Sequence, residues 1–338
     1  MMSDLFGEFR DAVRLDEVCV KRPTQIFLCG GRNPKPDEPG RPKSARHAFY
    51  RHLQQVNSPL LGDIVLAEVI VGDREQGDHG LTDILKVEEL VAEIVGVILL
   101  FIESPGSYAE LGAFTANKTI LRRLVVVNDN YFRERTESFI YQGPLKRLFN
   151  TYDQSLKYFT WLNDHDSPVL DEDLAHTMAV DLSEFVPEFQ KRNAGKARLS
   201  TAGASGGKPK LSEGELMCLI TGLLDVFVAL GLEEIEQALR KFASLESDLN
   251  IKRYLYVLRK LDLVGRVSDS KQQSWYYSRR SLVDWSFQPT AKSKTWLDWR
   301  LHFVKAYERA RTTDRGARKR LDAMDKIMLI LTGDEHHG

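Results

Sequence analysis

The sequence predicts an α/β protein: a parallel, flavodoxin-like sheet, then a smaller winged-helix-like domain and a C-terminal helical stretch. Three observations carry that expectation. Short apolar runs alternate with helical segments through the first half of the chain, the pattern of parallel βαβ units. The run at residues 94–102 (IVGVILLFI) is apolar throughout, as a strand covered on both faces should be. No G-x-G-x-x-G follows the first strand, so Gly30-Gly31 suit a four- or five-strand flavodoxin-like layout better than a full dinucleotide fold.

Taken in order, residues 24–29 (TQIFLC) form the first strand and lead into Gly30-Gly31, and residues 32–44 are a Pro-rich basic loop. Residues 45–55 read as a helix. Residues 63–71 (DIVLAEVIV) read as a second strand with Glu68 near its end, and 72–80 as a polar, Gly-bearing loop. A helix over 81–92 precedes the central strand. Residues 122–127 (RRLVVV) make a fourth strand ending in Asn128-Asp129-Asn130, and 156–161 a fifth. Residues 194–209, rich in Gly, Ser, Ala and Lys, read as a flexible linker. Helical periodicity returns at 212–230, 233–245 and 251–261, and 264–278 reads as two short strands around a polar tip. Residues 298–331 form a last charged helical stretch. The expected division is a sheet domain at 1–165, a connecting segment at 166–211, a winged-helix-like domain at 212–290 and a helical extension at 291–338.

Composition narrows the function classes. The longest apolar run falls far short of the roughly 20 residues of a membrane span, and no secretion signal opens the chain, so no membrane partner is expected. Cys19, Cys29 and Cys218 are odd in number and widely spaced, which suggests a reducing cytoplasm and neither a disulfide framework nor a zinc site. The eight histidines lack a ligand spacing, and Glu335-His336-His337 reads as a solvated tail; no metal is expected. The net charge of −1 hides a split. Residues 191–338 hold 27 Lys+Arg against 18 Asp+Glu, leaving 20 against 30 in residues 1–190. The basic half either meets a polyanion or neutralises the acidic half.

The turn after the central strand, Ser104-Pro105-Gly106-Ser107, is where chemistry is expected, because ligands gather at the carboxyl ends of parallel strands. Ser107-Tyr108-Ala109-Glu110 matches a capping box, with Glu110 in the first helical turn. Alternatively, Gly106 admits a close ligand, exposed N–H groups suit a ribose or phosphate, and the helix dipole keeps Glu110 ionised beside an anomeric carbon. Glu68, Asn128 and Asp129 end strands on the same rim, and Tyr141 could stack on a base. Cys29 reads as a small buried side chain.

FLCGG at 27–31, ESPGSYAELGAF at 103–114 and FIYQGPLKRLF at 139–149 resemble the effector proteins encoded beside retron reverse transcriptases, whose N-terminal domain is similar to nucleoside 2-deoxyribosyltransferases. The resemblance covers residues 24–150 and implies that Glu110 is the nucleophile at the sugar C1′. Gly30, Gly31, Glu68, Ser104, Gly106, Ser107, Asn128 and Tyr141 are the expected substrate contacts around it. Ser104 stands where those enzymes carry an Asp that handles the base. Without it a neutral base leaves poorly, whereas the nicotinamide of NAD⁺ is already cationic. NAD⁺ hydrolysis is therefore expected, with NAD⁺ as substrate and no cofactor.

In the basic half, Lys252, Arg253, Arg259, Lys260, Lys271, Arg279 and Arg280 lie on the third helix and around the hairpin, with Trp275-Tyr276-Tyr277 between them. Cations with aromatics suit nucleic acid. The resemblance implies the branched DNA–RNA of the retron (msDNA) and its reverse transcriptase as partners, a higher-order complex, and a toxic effector of antiphage defence regulated by that complex. Two alternatives remain open from sequence: a phosphoribohydrolase of nucleoside monophosphates, disfavoured because Ser107 replaces a signature glycine, and a nucleotide-sensing winged-helix transcription regulator.

Overall fold

Five strands form one parallel sheet: β1 (Ile26–Gly30), β2 (Ile64–Leu66), β3 (Val97–Phe101), β4 (Leu124–Asp129) and β5 (Leu156–Phe159), in the order 2-1-3-4-5. That is the flavodoxin-like order, and its direction reverses between β1 and β3. The register runs through Ile26 beside both Ile64 and Val97, Ile98 beside Leu124, and Val126 beside Leu156. Every residue of β1, β3 and β4 is buried, which is why these strands read as continuous apolar runs. The structure, a computed structural model, describes all residues except 1, 32–41, 73–82, 162–169, 194, 200–210, 244–249, 270–271, 294 and 335–338. Residues 73–80 of the predicted loop, 194 and 200–209 of the predicted linker, Lys271, the tail and most of the 32–44 loop therefore lie outside the described residues; within the expected flexible linker, Ala197–Arg198 are instead a strand.

Helices α1 (Ala45–Gln55), α2 (Ala67–Gly72), α3 (Ile84–Ile94), α4 (Pro105–Ala116) and α5 (Glu172–Asn193) belong to this unit, with shorter helices at Lys118–Leu121 and Lys146–Thr151. Phe49 and Leu53 of α1 pack with Met178, Leu182 and Val186 of α5 over Leu28, Leu99 and Phe101 of the sheet. α5 corrects the reading of 166–211 as a connection: it is a 22-residue helix and part of the core. The second strand is also shorter than predicted. It stops at Leu66, and Glu68 sits in the first turn of α2.

The described residues divide into two units, one holding 22–195 and the other holding 2–21 with 196–334. The N-terminal residues, expected with the sheet, thus belong with the C-terminal half. The reason is aromatic: Phe9 of the helix Met2–Ala12 sits 5.0–5.9 Å from the rings of Trp285, Trp299, Phe227 and Phe303. Strand Cys19–Val20 pairs there with Val283–Asp284 and Ala197–Arg198. Helices Glu213–Phe227, Leu232–Ala243 and Ile251–Lys260 precede a hairpin of Val264–Ser268 with Ser274–Ser278. The charged stretch expected as one helix is two, Trp296–Ala310 and Arg315–Asp334, split where Asp314 Oδ1 accepts the Ala317 N–H at 3.0 Å and restarts the second. Among the described residues, no helix is long and apolar enough to cross a membrane.

Candidate active site

The turn after β3 is built around Ser104. Its Oγ accepts the Ser107 N–H at 3.3 Å, and Ser107 Oγ accepts the Ser104 and Glu103 N–H groups at 3.0 and 3.1 Å. Pro105 takes the first helical position, which costs no hydrogen bond. The capping box is therefore Ser104–Ser107, and the expected Ser107–Glu110 box is corrected. Glu110 is the sixth residue of α4, in its second turn, with its carboxylate released from any capping duty.

Two glycines bring β1 close to this turn. Gly30 has φ +91°, and a Cβ there would lie 1.9 Å from the Phe101 carbonyl oxygen. Gly31 has φ +49°, and its Cβ would lie 2.5 Å from Glu103 Oε1. Glu103 is in turn occupied: it accepts the Ala45 and Arg46 N–H groups at 2.5 and 3.0 Å, capping α1. Gly106 differs. A Cβ there would meet only Ser104 Oγ at 3.8 Å, so packing does not require a glycine, and it faces a cavity.

That cavity, about 450 Å³, opens at the carboxyl ends of β1 and β3, at the switch point of the sheet. Gly30, Gly31, Glu68, Ser104, Gly106 and Ser107 line it together with Glu110. The buried Arg46 crosses its floor, donating to the Gly30 carbonyl at 2.6 Å and, through both Nη atoms, to the two oxygens of Glu68 at 2.7 Å each. Glu88 of α3 completes the acidic wall. Oε2 of Glu110 is enclosed and has no hydrogen-bond partner among the described residues.

Burial pushes the Glu110 carboxyl up to about 7; the Glu88 charge adds to this, Arg46 opposes it and Glu68 adds further. Glu88 is likewise raised to about 7, by burial first and then by Glu68, against Arg46. This corrects the expectation that the helix dipole holds Glu110 ionised. The dipole acts within the first turn, and Glu110 lies beyond it in a low-dielectric, acid-lined pocket. The thiol of Cys29 is buried and pushed well up by that burial and by Glu110, as fits a packing residue.

Asn128 and Tyr141 are not brought to the cavity. Asn128 is buried, its Oδ1 accepting the Asp129 N–H at 3.0 Å, and half-buried Tyr141 opens a π-helical turn, Tyr141–Leu145. Arg46 and Glu88 were missed. They reach the site from helices 64 and 22 residues before Glu110, and nothing local marks either one. No group of three His, Cys, Asp or Glu among the described residues could hold a metal ion.

In the other unit Lys252, Arg279 and Arg280 are exposed, while Arg253, Arg259 and Lys260 are half-buried. Arg279 pairs with Asp262 at 3.2 Å. Trp275 and Tyr277 are not available for stacking on a ligand: alternation along the strand turns both into the core, where the Arg320 guanidinium lies 5.0 Å from the Trp275 ring.

Fold and site together define an α/β protein with a carboxylate-lined ligand cavity at the switch point of a flavodoxin-like sheet. A family model described as "STM3845 retron effector protein" matches residues 42–266, more than half of the chain. The chain belongs to that retron effector family. It is 38% identical over 130 residues to the Escherichia coli protein named "Retron Ec86 putative ribosyltransferase/DNA-binding protein", covering 37% of this chain and 38% of that protein. It is 28% identical over 131 residues to the Ec73 counterpart from Escherichia coli, named in the same words, covering 38% and 39%. The chain thus spans less than half the length of the curated relatives it matches.

Proposed function

We propose that this retron effector is an N-glycosidase that hydrolyses NAD⁺ to nicotinamide and ADP-ribose, with Glu110 as nucleophile. The observation that carries the reading is Glu110 in the lining of a ligand-sized cavity, its Oε2 enclosed and without a hydrogen-bond partner among the described residues. In the cavity's described lining Glu68, Glu88 and Glu110 outnumber the cation Arg46, so a substrate part bearing positive charge is favoured. A nicotinamide riboside moiety meets that requirement, and its approach draws Glu110 toward the ionised form.

In the chemical step a Glu110 carboxylate oxygen bonds to C1′ as the C1′–N bond breaks, and its electron pair neutralises the pyridinium, so no acid is needed for departure. Water then attacks C1′ of the glycosyl ester, restores the carboxylate and gives its proton to Glu88. The word ribosyltransferase in the relatives' names supports glycosyl chemistry, and their DNA-binding designation supports a nucleic-acid role for the second unit. There the three helices and hairpin act as a winged helix, and Lys252, Arg253, Arg259, Lys260, Arg279 and Arg280 contact the retron's msDNA. The msDNA and reverse transcriptase hold the enzyme in check within a cytoplasmic assembly.

Purified full-length protein should release nicotinamide from NAD⁺, and Glu110→Gln should lower that rate at least ~1,000-fold, in the range of lost catalytic nucleophiles. Release by Glu110→Gln at the wild-type rate overturns the assignment. A nucleotide-sensing regulator predicts duplex binding with sequence preference and no turnover.

A further inference from the structure

We propose that a second cavity, beyond the Gly31–Ser104 waist, holds the aromatic base of the non-reacting half of a dinucleotide, so that the substrate is bound at both ends. This cavity, about 630 Å³, shares Gly31 and Ser104 with the Glu110 cavity. A ligand that spans Gly31 and Ser104 therefore reaches residues of both cavities. Both volumes fall within the ~300–1,000 Å³ of ordinary ligand sites.

The two cavities differ in their walls. The first is acidic. The second is aromatic, with Tyr108, Tyr131, Phe132 and Trp161 around it, and its own carboxylates are already engaged. Glu103 accepts the amides that begin α1. Asp129 is buried and accepts the Tyr131 N–H at 2.9 Å and the Trp161 N–H at 3.1 Å, so it fixes two of the aromatic walls and is a positioning residue. Tyr131 and Phe132 meet edge-to-face at 5.2 Å, and the Arg135 guanidinium lies over the Tyr131 ring at 4.1 Å. Lys43 lines the same cavity. From one cavity to the other the walls pass from carboxylates to rings flanked by cations. A dinucleotide changes in the matching sense, from a cationic base through anionic linking phosphates to a neutral, stackable base. A mononucleotide would leave the second cavity empty.

This inference rests on the N-glycosidase reading for the identity of the reacting half, but its test does not depend on turnover. AMP carries only the half assigned to the second cavity, and nicotinamide mononucleotide only the half assigned to the first. By calorimetric titration of the full-length chain, AMP should bind wild type and Glu110→Gln alike. Tyr131→Ala with Phe132→Ala should weaken AMP about ten-fold, within the range of a lost base–aromatic stack. Tyr131→Phe, which keeps the ring, should restore binding relative to Tyr131→Ala. In turnover, the double variant should lower the ratio of kcat/KM for NAD⁺ to that for nicotinamide mononucleotide about ten-fold. AMP that fails to bind wild type, binds the double variant equally well, or is lost in Glu110→Gln overturns the second subsite. AMP binding that depends on Tyr131 and Phe132, with neither nicotinamide substrate cleaved, supports the subsite and overturns the glycosidase reading instead.

Discussion

At the carboxyl ends of the sheet, three half-buried carboxylates and one buried guanidinium meet in a single cavity; in the other unit, Lys252 and Arg280 stand in solvent. The first arrangement shifts protonation and leaves an oxygen unsatisfied. The second leaves each charge hydrated and screened over about 10 Å at 0.1 M salt, so its cations act by number rather than by individual placement. Burial thus distinguishes charge that can act on one bond from charge that can hold a polyanion. The same distinction operates within one turn. Glu103 accepts two amides and builds the fold, whereas Glu110, seven residues on, keeps an oxygen without a hydrogen-bond partner among the described residues.

The comparison is tested most severely at Arg46. Arg46→Met removes the only cation of the cavity's described lining, leaving the Glu68 carboxylate and the Gly30 carbonyl without it. A cost of about 3 kcal/mol is expected in urea unfolding, at the lower end for a broken buried pair because Glu68 keeps a third of its surface in water. A loss below ~1 kcal/mol would mean that Arg46 is not essential to the cavity.

The next test is pH. Because Glu110 must be ionised to attack, kcat/KM should rise with pH through about 7. Glu88→Gln removes a like charge that raises Glu110, so the rising limb should move to lower pH and activity at pH 6, relative to the plateau, should increase several-fold. An unmoved limb would separate the two carboxyls. Stability should run the other way. The Glu110 carboxyl is raised in the folded chain, so between about 4.5 and 7 the native state binds more protons than the unfolded one, and stability falls as pH rises. Wild type should therefore lose urea resistance relative to Glu110→Gln between pH 5 and 7.5; parallel curves would contradict the raised value.

The smallest effects belong to the solvated face. Lys252→Ala or Arg280→Ala should each weaken retron DNA–RNA binding a few-fold and lower the salt slope by about 1, without sequence selectivity. Unchanged slopes would remove this face from the interface.

The sheet was legible because buried parallel strands cannot hide their apolar runs, and Ala45–Gln55 emerged with the bounds its periodicity predicts. The position of the cavity was legible as well, since Gly30-Gly31 and the turn from Ser104 both announce strand ends. Its inner wiring was not. The Arg46–Glu68 pair spans 22 residues and Glu88 faces Glu110 across two helices, contacts that follow from tertiary packing and leave no local signature. Other misses had a signal that was not weighed. Pro105 favours the first helical position and so points to Ser104 as the cap. Leu5, Phe6 and Phe9 recur at helical spacing and mark an apolar face, and Trp275 and Tyr277, two apart in a strand, share one face.

The most direct measurement is to trap the bond itself. Full-length protein is incubated with an NAD⁺ analogue carrying 2′-fluorine in the arabino configuration, which slows hydrolysis of the glycosyl ester, and then digested for peptide mass spectrometry. The peptide containing Glu110 should gain the mass of the fluorinated ADP-ribosyl group, with one nicotinamide released per chain. Turnover of the analogue with the adduct on another residue, or with no adduct at all, would contradict the central role of Glu110.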